Sequence, residues 1–434
     1  GVTFRTKVCV GAKPATTGIN DDAVEVISAE QLLIDIWHGT FYGDGPVQRA
    51  LAILRRCLGD QAQTPRYIET IRKRGYRLIA DVVLPENYAG SVASGDVSWV
   101  DGSPYVGLRA FDAGHSSVFF GRARGTAAVL EAIRRQRQNG NRLVLLLGPS
   151  GCGKTSLLQA GVIPLLARDQ GFDGLHAATT AWVDFADAPI DPLTQLAAAL
   201  CQWQLGNRPI FLQRAEVERR LRAEPEAIGP AIESAFARWP SRAPPGQAMA
   251  LLAIDHAEAV LTIAAADCAA LNRAVGALAG CAQVLIVLLC RSDFYPGLLA
   301  RFPIVAERKM PDGHVDLLPP TSGELAEIIR RPAQAAGLRF EKDPHTLVGL
   351  DDALRDAAVA HPEALPMLQY TLQALYEARG PGHLLSFAAY AALGGLEHLF
   401  RSNEHGLTAP GLDHHADQRP DRAHQLAVKL GQID

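Results

Sequence analysis

Gly148-Pro149-Ser150-Gly151-Cys152-Gly153-Lys154-Thr155 follows the run Arg142 to Leu147, apolar from Leu143 on, and precedes a stretch of helical periodicity from Lys154 to about Ala167. The octapeptide fits G-x-x-x-x-G-K-[ST], and a strand before it with a helix after it is the context that pattern requires. Glycines let backbone N–H groups turn inward onto phosphate oxygens without Cβ clashes. The helix N-terminus adds a favourable field for an anion. In such a loop Lys154 reaches the β- and γ-phosphates and the Thr155 hydroxyl ligates Mg²⁺. Gly148, Ser150, Gly151, Cys152, Gly153, Lys154, Thr155 and Ser156 are the expected nucleotide contacts. Cys152 lies among backbone N–H groups at a helix start, a setting that favours a thiolate; the alternative reading is a residue that fills a small-residue position and is shielded in the fold.

Working outward, Trp182 to Phe185, Met249 to Ile254 and Val284 to Leu289 read as further strands, with helical stretches between them. Alternating strands and helices predict a parallel sheet covered on both faces. Met249 to Ile254 ends in Asp255, expected on a strand beside the phosphate-loop strand, where a carboxylate meets Mg²⁺. Glu258 is placed to orient the attacking water. Val284 to Cys290 runs into Arg291, a cation expected to face the γ-phosphate from a neighbouring strand. From Thr321 to Leu396 the chain reads as mostly helical. The tail carries His398, His405, His414, His415 and His424 without the fixed spacing a metal site needs, so no metal is expected there.

Upstream, Pro46 to Ala80 holds eight Arg or Lys residues against Asp60 and Glu69. A local excess of that kind attracts a phosphate backbone. Ser28 to about Trp37 reads as a helix; Pro46 opens a second, whose apolar stripe is Val47, Leu51, Leu54 and Leu58, and Gly59 ends it. Tyr67 to Ile71 and Tyr76 to Ile79 read as two short strands around Arg72-Lys73-Arg74-Gly75. That order is a helix-turn-helix with a β-hairpin wing. Gln48, Arg49, Ala52 and Arg56 are the candidates for the major groove, Arg72, Lys73, Arg74 and Arg77 for phosphates or the minor groove, and Arg55 is a further expected DNA contact. Residues 84–104 are small, polar and rich in Pro and Gly, a linker composition.

The composition is permissive. A chain of 434 residues, 48% apolar and 20% charged, suits two or three globular domains. The formal net charge of −4 does not by itself announce nucleic acid. Seven cysteines without C-x-x-C spacing predict a reducing compartment and no disulfides. The apolar runs fall short of a membrane span and no signal-peptide pattern opens the chain, so a cytoplasmic location is expected. Gly1 in place of Met fits a fragment or a processed product.

Two resemblances follow from these residues. Val26 to Val83, through Ser28-Ala29-Glu30-Gln31-Leu32-Leu33, Ile36-Trp37, Leu54 to Asp60, Tyr67-Ile68-Glu69-Thr70 and Arg74 to Leu78, resembles the winged helix-turn-helix effector domain of the OmpR/PhoB type. Tyr105 to about Gly395 resembles a novel STAND NTPase of bacteria. Its carrying motifs are Tyr105-Val106-Gly107-Leu108, Phe119-Phe120-Gly121-Arg122, the phosphate loop, Arg291 to Tyr295, Arg331-Pro332-Ala333, Leu365 to Gln369 and Leu393 to Leu396. The second resemblance implies that Phe120, Gly121, Arg122 and Pro366 lie near the adenine and that Arg291 is a sensor. Asp255-His256-Ala257-Glu258-Ala259 departs from that family, which usually follows the acid with a glutamine, an aromatic and two acids. The acid of the family's opening motif is replaced near Gly125.

The expected fold is multidomain: a winged helix (1–83), a linker (84–104), a P-loop α/β parallel-sheet core (105–310), an α-helical subdomain (311–400) and a tail (401–434). The expected function is a nucleotide-switched DNA-binding transcriptional regulator that binds ATP and Mg²⁺ and hydrolyses ATP slowly. Its partners are double-stranded DNA and ATP or ADP, with a homo-oligomer left open. The alternative is a signalling scaffold whose DNA-binding segment is degenerate.

Overall fold

The structure, a computed structural model, describes residues 47–48, 51–52, 55, 59–71, 75–79, 98–169, 171–186, 191–239, 248–309, 312–346, 348–361 and 364–395. The helix expected at Ser28 to Trp37, Arg49, Arg56, Arg72, Lys73, Arg74, the middle of the linker and the histidine-rich tail lie outside them. The chain divides into two compact units, Gly1–Asp96 and Val97–Asp434.

In the first unit Val47, Gln48, Leu51, Ala52 and Arg55 are helical. Val47 is buried, while Gln48 and Ala52, off the apolar stripe, are exposed. Two antiparallel strands follow, β1 (Ile68–Ile71) and β2 (Gly75–Leu78), with Ile68 opposite Leu78 and Ile71 opposite Gly75. Asp60 ties the helix end to this hairpin. Its carboxylate accepts from the backbone N–H of Arg66 at 2.7 Å and of Ile68 at 3.0 Å. Those donors, that of Arg66 foremost, hold the Asp60 carboxyl below its ordinary value.

The second unit is built on a five-stranded parallel sheet in the order β4-β7-β8-β3-β9. The strands are β3 (Leu143–Gly148), β4 (His176–Asp184), β7 (Ala248–Asp255), β8 (Val284–Arg291) and β9 (His314–Asp316); β5 (Gln204–Leu205) and β6 (Arg208–Pro209) form a small separate hairpin. In β3, β7 and β8 nearly every residue is buried, as a central strand covered on both faces must be. Alternation then divides their side chains between two cores. Leu143, Leu145, Leu252, Ile254, Ile286 and Leu288 face one, and Val144, Leu146, Leu251, Ala253, Leu285 and Val287 the other.

Two strands were incompletely visible in the sequence. β4 begins at His176, not Trp182, because its first residues pair small Ala and Thr in a buried-and-partly-buried alternation rather than an apolar run. The edge strand β9 is three residues long and carries His314 and Asp316, so no hydrophobic run marks it. The order also corrects an expectation. Asp255 does not end a strand beside β3, since β8 lies between β7 and β3.

The helix after the phosphate loop departs from regular geometry. Lys154–Ser156 and Ile163–Leu166 are α-helical, and Leu157–Val162 between them is wound wider, a form that often accompanies functional sites. The helical part holds Ser322–Ala335, Leu350–Val359, Leu365–Glu377 and Phe387–Ala392 around one core that includes Ile329, Leu354, Leu368 and Leu372. A capping box opens the first of these: Thr321 and Glu324 satisfy each other's backbone N–H groups. The last residues of the expected linker belong to this unit, for the Trp99 N–H donates to the Ala335 carbonyl at 2.7 Å.

Candidate functional site

The phosphate loop leaves the end of β3 and turns at Gly151 with φ +68°, a conformation that glycine adopts without strain. Space imposes the same choice, because a Cβ on Gly151 would lie 2.8 Å from Pro366 Cγ. The start of helix Leu365–Glu377 thus rests on the loop. From the other side Gly121 lies so close to helix Ser322–Ala335 that a Cβ would meet the Glu324 carbonyl and Ile328. Between these contacts a cleft opens, walled by the loop and by Leu108, Phe120, Ile328 and Gln369.

At its floor the Lys154 ammonium donates to the carbonyls of Gly148 at 2.9 Å and Pro149 at 3.0 Å. The Thr155 hydroxyl donates to Asp255 Oδ2 at 2.7 Å. Asp255 is buried, which raises its carboxyl pKa, since desolvation penalises the anion. A hydroxyl and a carboxylate oxygen at a phosphate cradle are the hard donors that Mg²⁺ takes alongside phosphates and water. The two residues therefore fit the metal expected here.

His256 stands beside the acid. It holds φ +50°, rare for a residue with a side chain. Its Nδ1 lies 2.8 Å from Asp184 Oδ1 at the end of β4. That hydrogen bond raises the imidazole pKa to about 9, against the effect of burial. Spacing alone did not reveal Asp184, which reaches the site only through the pairing of β4 with β7.

Several of the remaining expected residues have other partners already in hand. Glu258 Oε2 accepts from the Arg291 backbone N–H at 3.2 Å. The Arg291 guanidinium pairs with Asp293 at 2.7 Å and lies 5.1 Å from the Phe294 ring centre, rather than facing the phosphate loop alone. Arg122, expected near adenine, is buried and donates to the Cys152 carbonyl at 2.8 Å, tying the loop down from beneath. Phe120 does line the cleft, with the Arg331 guanidinium 4.1 Å above its ring. Cys152 is buried, and desolvation pushes its thiol pKa up, which fits the shielded reading and not the thiolate one. Ser156 turns away from the loop and accepts from the Phe111 N–H at 3.1 Å.

In the first unit, two of the expected DNA-binding cations are used internally. Arg55 donates to the Ile68 carbonyl at 2.9 Å and to Thr70 Oγ1 at 2.8 Å, which buttresses the hairpin. Arg77 pairs across the strands with Glu69 at 2.9 Å. Among the described residues no group of His, Cys, Asp and Glu is arranged to hold a metal by itself, and no helix is long and apolar enough to cross a membrane.

A five-stranded parallel sheet with its phosphate loop after β3 and its strand-end acid across β8 defines a P-loop NTPase, here on one chain with a winged-helix segment. The chain belongs to the family described as Novel STAND NTPase 1, which matches residues 104–419. Residues 21–78 match the family described as Transcriptional regulatory protein, C terminal. The chain therefore joins a transcriptional-regulator domain to an NTPase domain. The cholera toxin transcriptional activator of Vibrio cholerae is 38% identical over 78 residues, 17% of this chain and 26% of that protein. The chain thus spans about a quarter of that relative's length. Among solved structures, the Walker-type ATPase of Pyrococcus abyssi is similar at 17% identity over 69% of this chain and 75% of that one, with a TM-score of 0.39. The ORC1 protein of Aeropyrum pernix in complex with DNA is similar at 15% identity over 66% and 67%, with a TM-score of 0.42.

Proposed function

We propose that this protein is a DNA-binding transcriptional regulator switched by a nucleotide, with ATP and Mg²⁺ held in the cleft between the α/β core and the helical part. The observation that carries this is the hydrogen bond from Thr155 to Asp255, which brings two hard oxygen donors together from positions 100 residues apart. Lys154 would hold the β- and γ-phosphates, and Thr155 and Asp255 the metal. Contacts to the γ-phosphate made only in the ATP state would favour the closed cleft, and ADP or an empty site the loose one. Hydrolysis would be slow, because Glu258 and Arg291 must first release the Arg291 N–H and Asp293. In the regulator domain Gln48 and Ala52 present an exposed helix face to bases, and Arg72, Lys73 and Arg74 would supply cations for phosphates. Such a regulator acts where the DNA is, in the cytoplasm, and the same switch could govern a homo-oligomer.

Calorimetry of Lys154→Ala tests the site. Loss of the cation should weaken ATP binding at least tenfold, about 1.4 kcal/mol. Equal affinity of the two proteins would remove the assignment. The engagement of Arg55 and Arg77 favours a second reading, a signalling scaffold with a degenerate DNA-binding segment. A salt titration of the full chain on duplex DNA separates the two, since phosphate contacts make affinity fall steeply with salt. Absence of salt-dependent affinity selects the scaffold.

A further inference from the structure

Gln369 is 7% exposed, on helix Leu365–Glu377, and lines the cleft. Its Oε1 is closed off from solvent and has no hydrogen-bond partner. Folded proteins keep few such atoms, because a buried acceptor without a donor is destabilising. A leucine of similar size would fill the same space without that cost.

Its position indicates what would satisfy it. Pro366, Gln369 and Gln373 follow one another along one helix face. Pro366 touches the phosphate loop at Gly151, and Gln373 lies against Gly107 of the opening motif. Gln369 stands three residues beyond Pro366, about 4.5 Å further along the helix axis. The cleft is also walled by Leu108, Phe111, Phe120, Ile328 and Pro332, apolar surfaces suited to a flat ring. A nucleotide anchored at Lys154 would place its nucleoside against these surfaces.

We infer that Gln369 determines base specificity: its carboxamide, turned toward the base, reads adenine, the oxygen accepting from the exocyclic amino group and the N–H donating to N7. A carboxamide pairs with adenine in this two-bonded way. Guanine and hypoxanthine present a carbonyl where adenine has its amino group, and Oε1 would then face an oxygen. The inference rests on the proposed nucleotide site and is independent of hydrolysis and of DNA.

The test uses the full chain, with ATP, inosine triphosphate and 2′-deoxy-ATP as probes in calorimetry. Wild type should prefer ATP to inosine triphosphate at least tenfold, which corresponds to about 1.4 kcal/mol. Gln369→Leu should bind the two alike, and its melting temperature without nucleotide should equal or exceed that of wild type. Gln369→Met, unbranched and of similar volume, repeats the measurement if the leucine variant does not fold. A preference for ATP that survives in these variants would overturn the inference. So would a discrimination that is lost against 2′-deoxy-ATP alone, for the carboxamide would then read the sugar. A wild type that binds ATP and inosine triphosphate alike removes this inference only, whereas one that binds neither removes the nucleotide site as well.

Discussion

The phosphate loop and the basic hairpin each carry cations with partners in place, and the partners differ in kind. Lys154 bonds two neutral carbonyls of its own loop. Arg77 faces a carboxylate, and Arg55 is threaded between the helix and the hairpin. A phosphate competes well with carbonyls for an ammonium, because a charge-assisted bond is about twice as strong as a neutral one. It competes poorly with a carboxylate already in contact, and it cannot recruit Arg55 without unfastening the hairpin. A count of cations along a sequence therefore overstates what a surface offers, unless the nearest acceptors are known.

Four variants bear on that difference. The largest effect is expected at Gly151→Ala. The left-handed backbone there costs a side chain about 1–2 kcal/mol, and the overlap with Pro366 adds about 1–3 kcal/mol. Loop and helix Leu365–Glu377 must separate, so both melting temperature and ATP affinity should fall. A stable variant with unchanged affinity would show that the contact between loop and helix is not part of the site.

An intermediate effect is expected at Arg55→Leu. It leaves the Ile68 carbonyl without its side-chain donor, at a cost of about 1–3 kcal/mol. The salt dependence of DNA affinity should barely change. Replacing Arg72, Lys73 and Arg74 together should do the opposite, lowering the salt slope by up to about three units with little effect on stability. If Arg55→Leu lowers the slope as the triple replacement does, the contrast between buttress and contact collapses.

The smallest effect concerns Asp60. Its folded carboxyl lies below the ordinary value of 3.8, so its contribution to stability is present above that value and is lost as pH falls through the folded one. Chemical denaturation of wild type and Asp60→Asn should therefore differ at neutral pH and converge in acid. A gap that persists at low pH would mean that the carboxylate's charge is not what holds the Arg66 and Ile68 N–H groups.

The loop sequence and its context were readable because the constraint is local. Positive φ at Gly151, a cation and a hydroxyl at fixed offsets, and a strand leading into a helix are all set within a few residues. The interior strands were readable because burial on both faces demands an unbroken apolar run. β9 and the first half of β4 were not, since an edge strand needs no such run.

By itself the sequence determined a phosphate loop in a parallel α/β core, a helical part after it and a basic winged-helix segment before it, because each follows from periodicity, residue type and short spacing. Only tertiary structure decided that β8 separates Asp255 from the loop strand, that Asp184 holds His256, that Arg291 is engaged by Asp293 and that the carboxamide oxygen of Gln369 is buried without a partner beside the cleft. These depend on which strands pair and which helix covers them, and a side chain's partner across such a contact leaves no period in the chain.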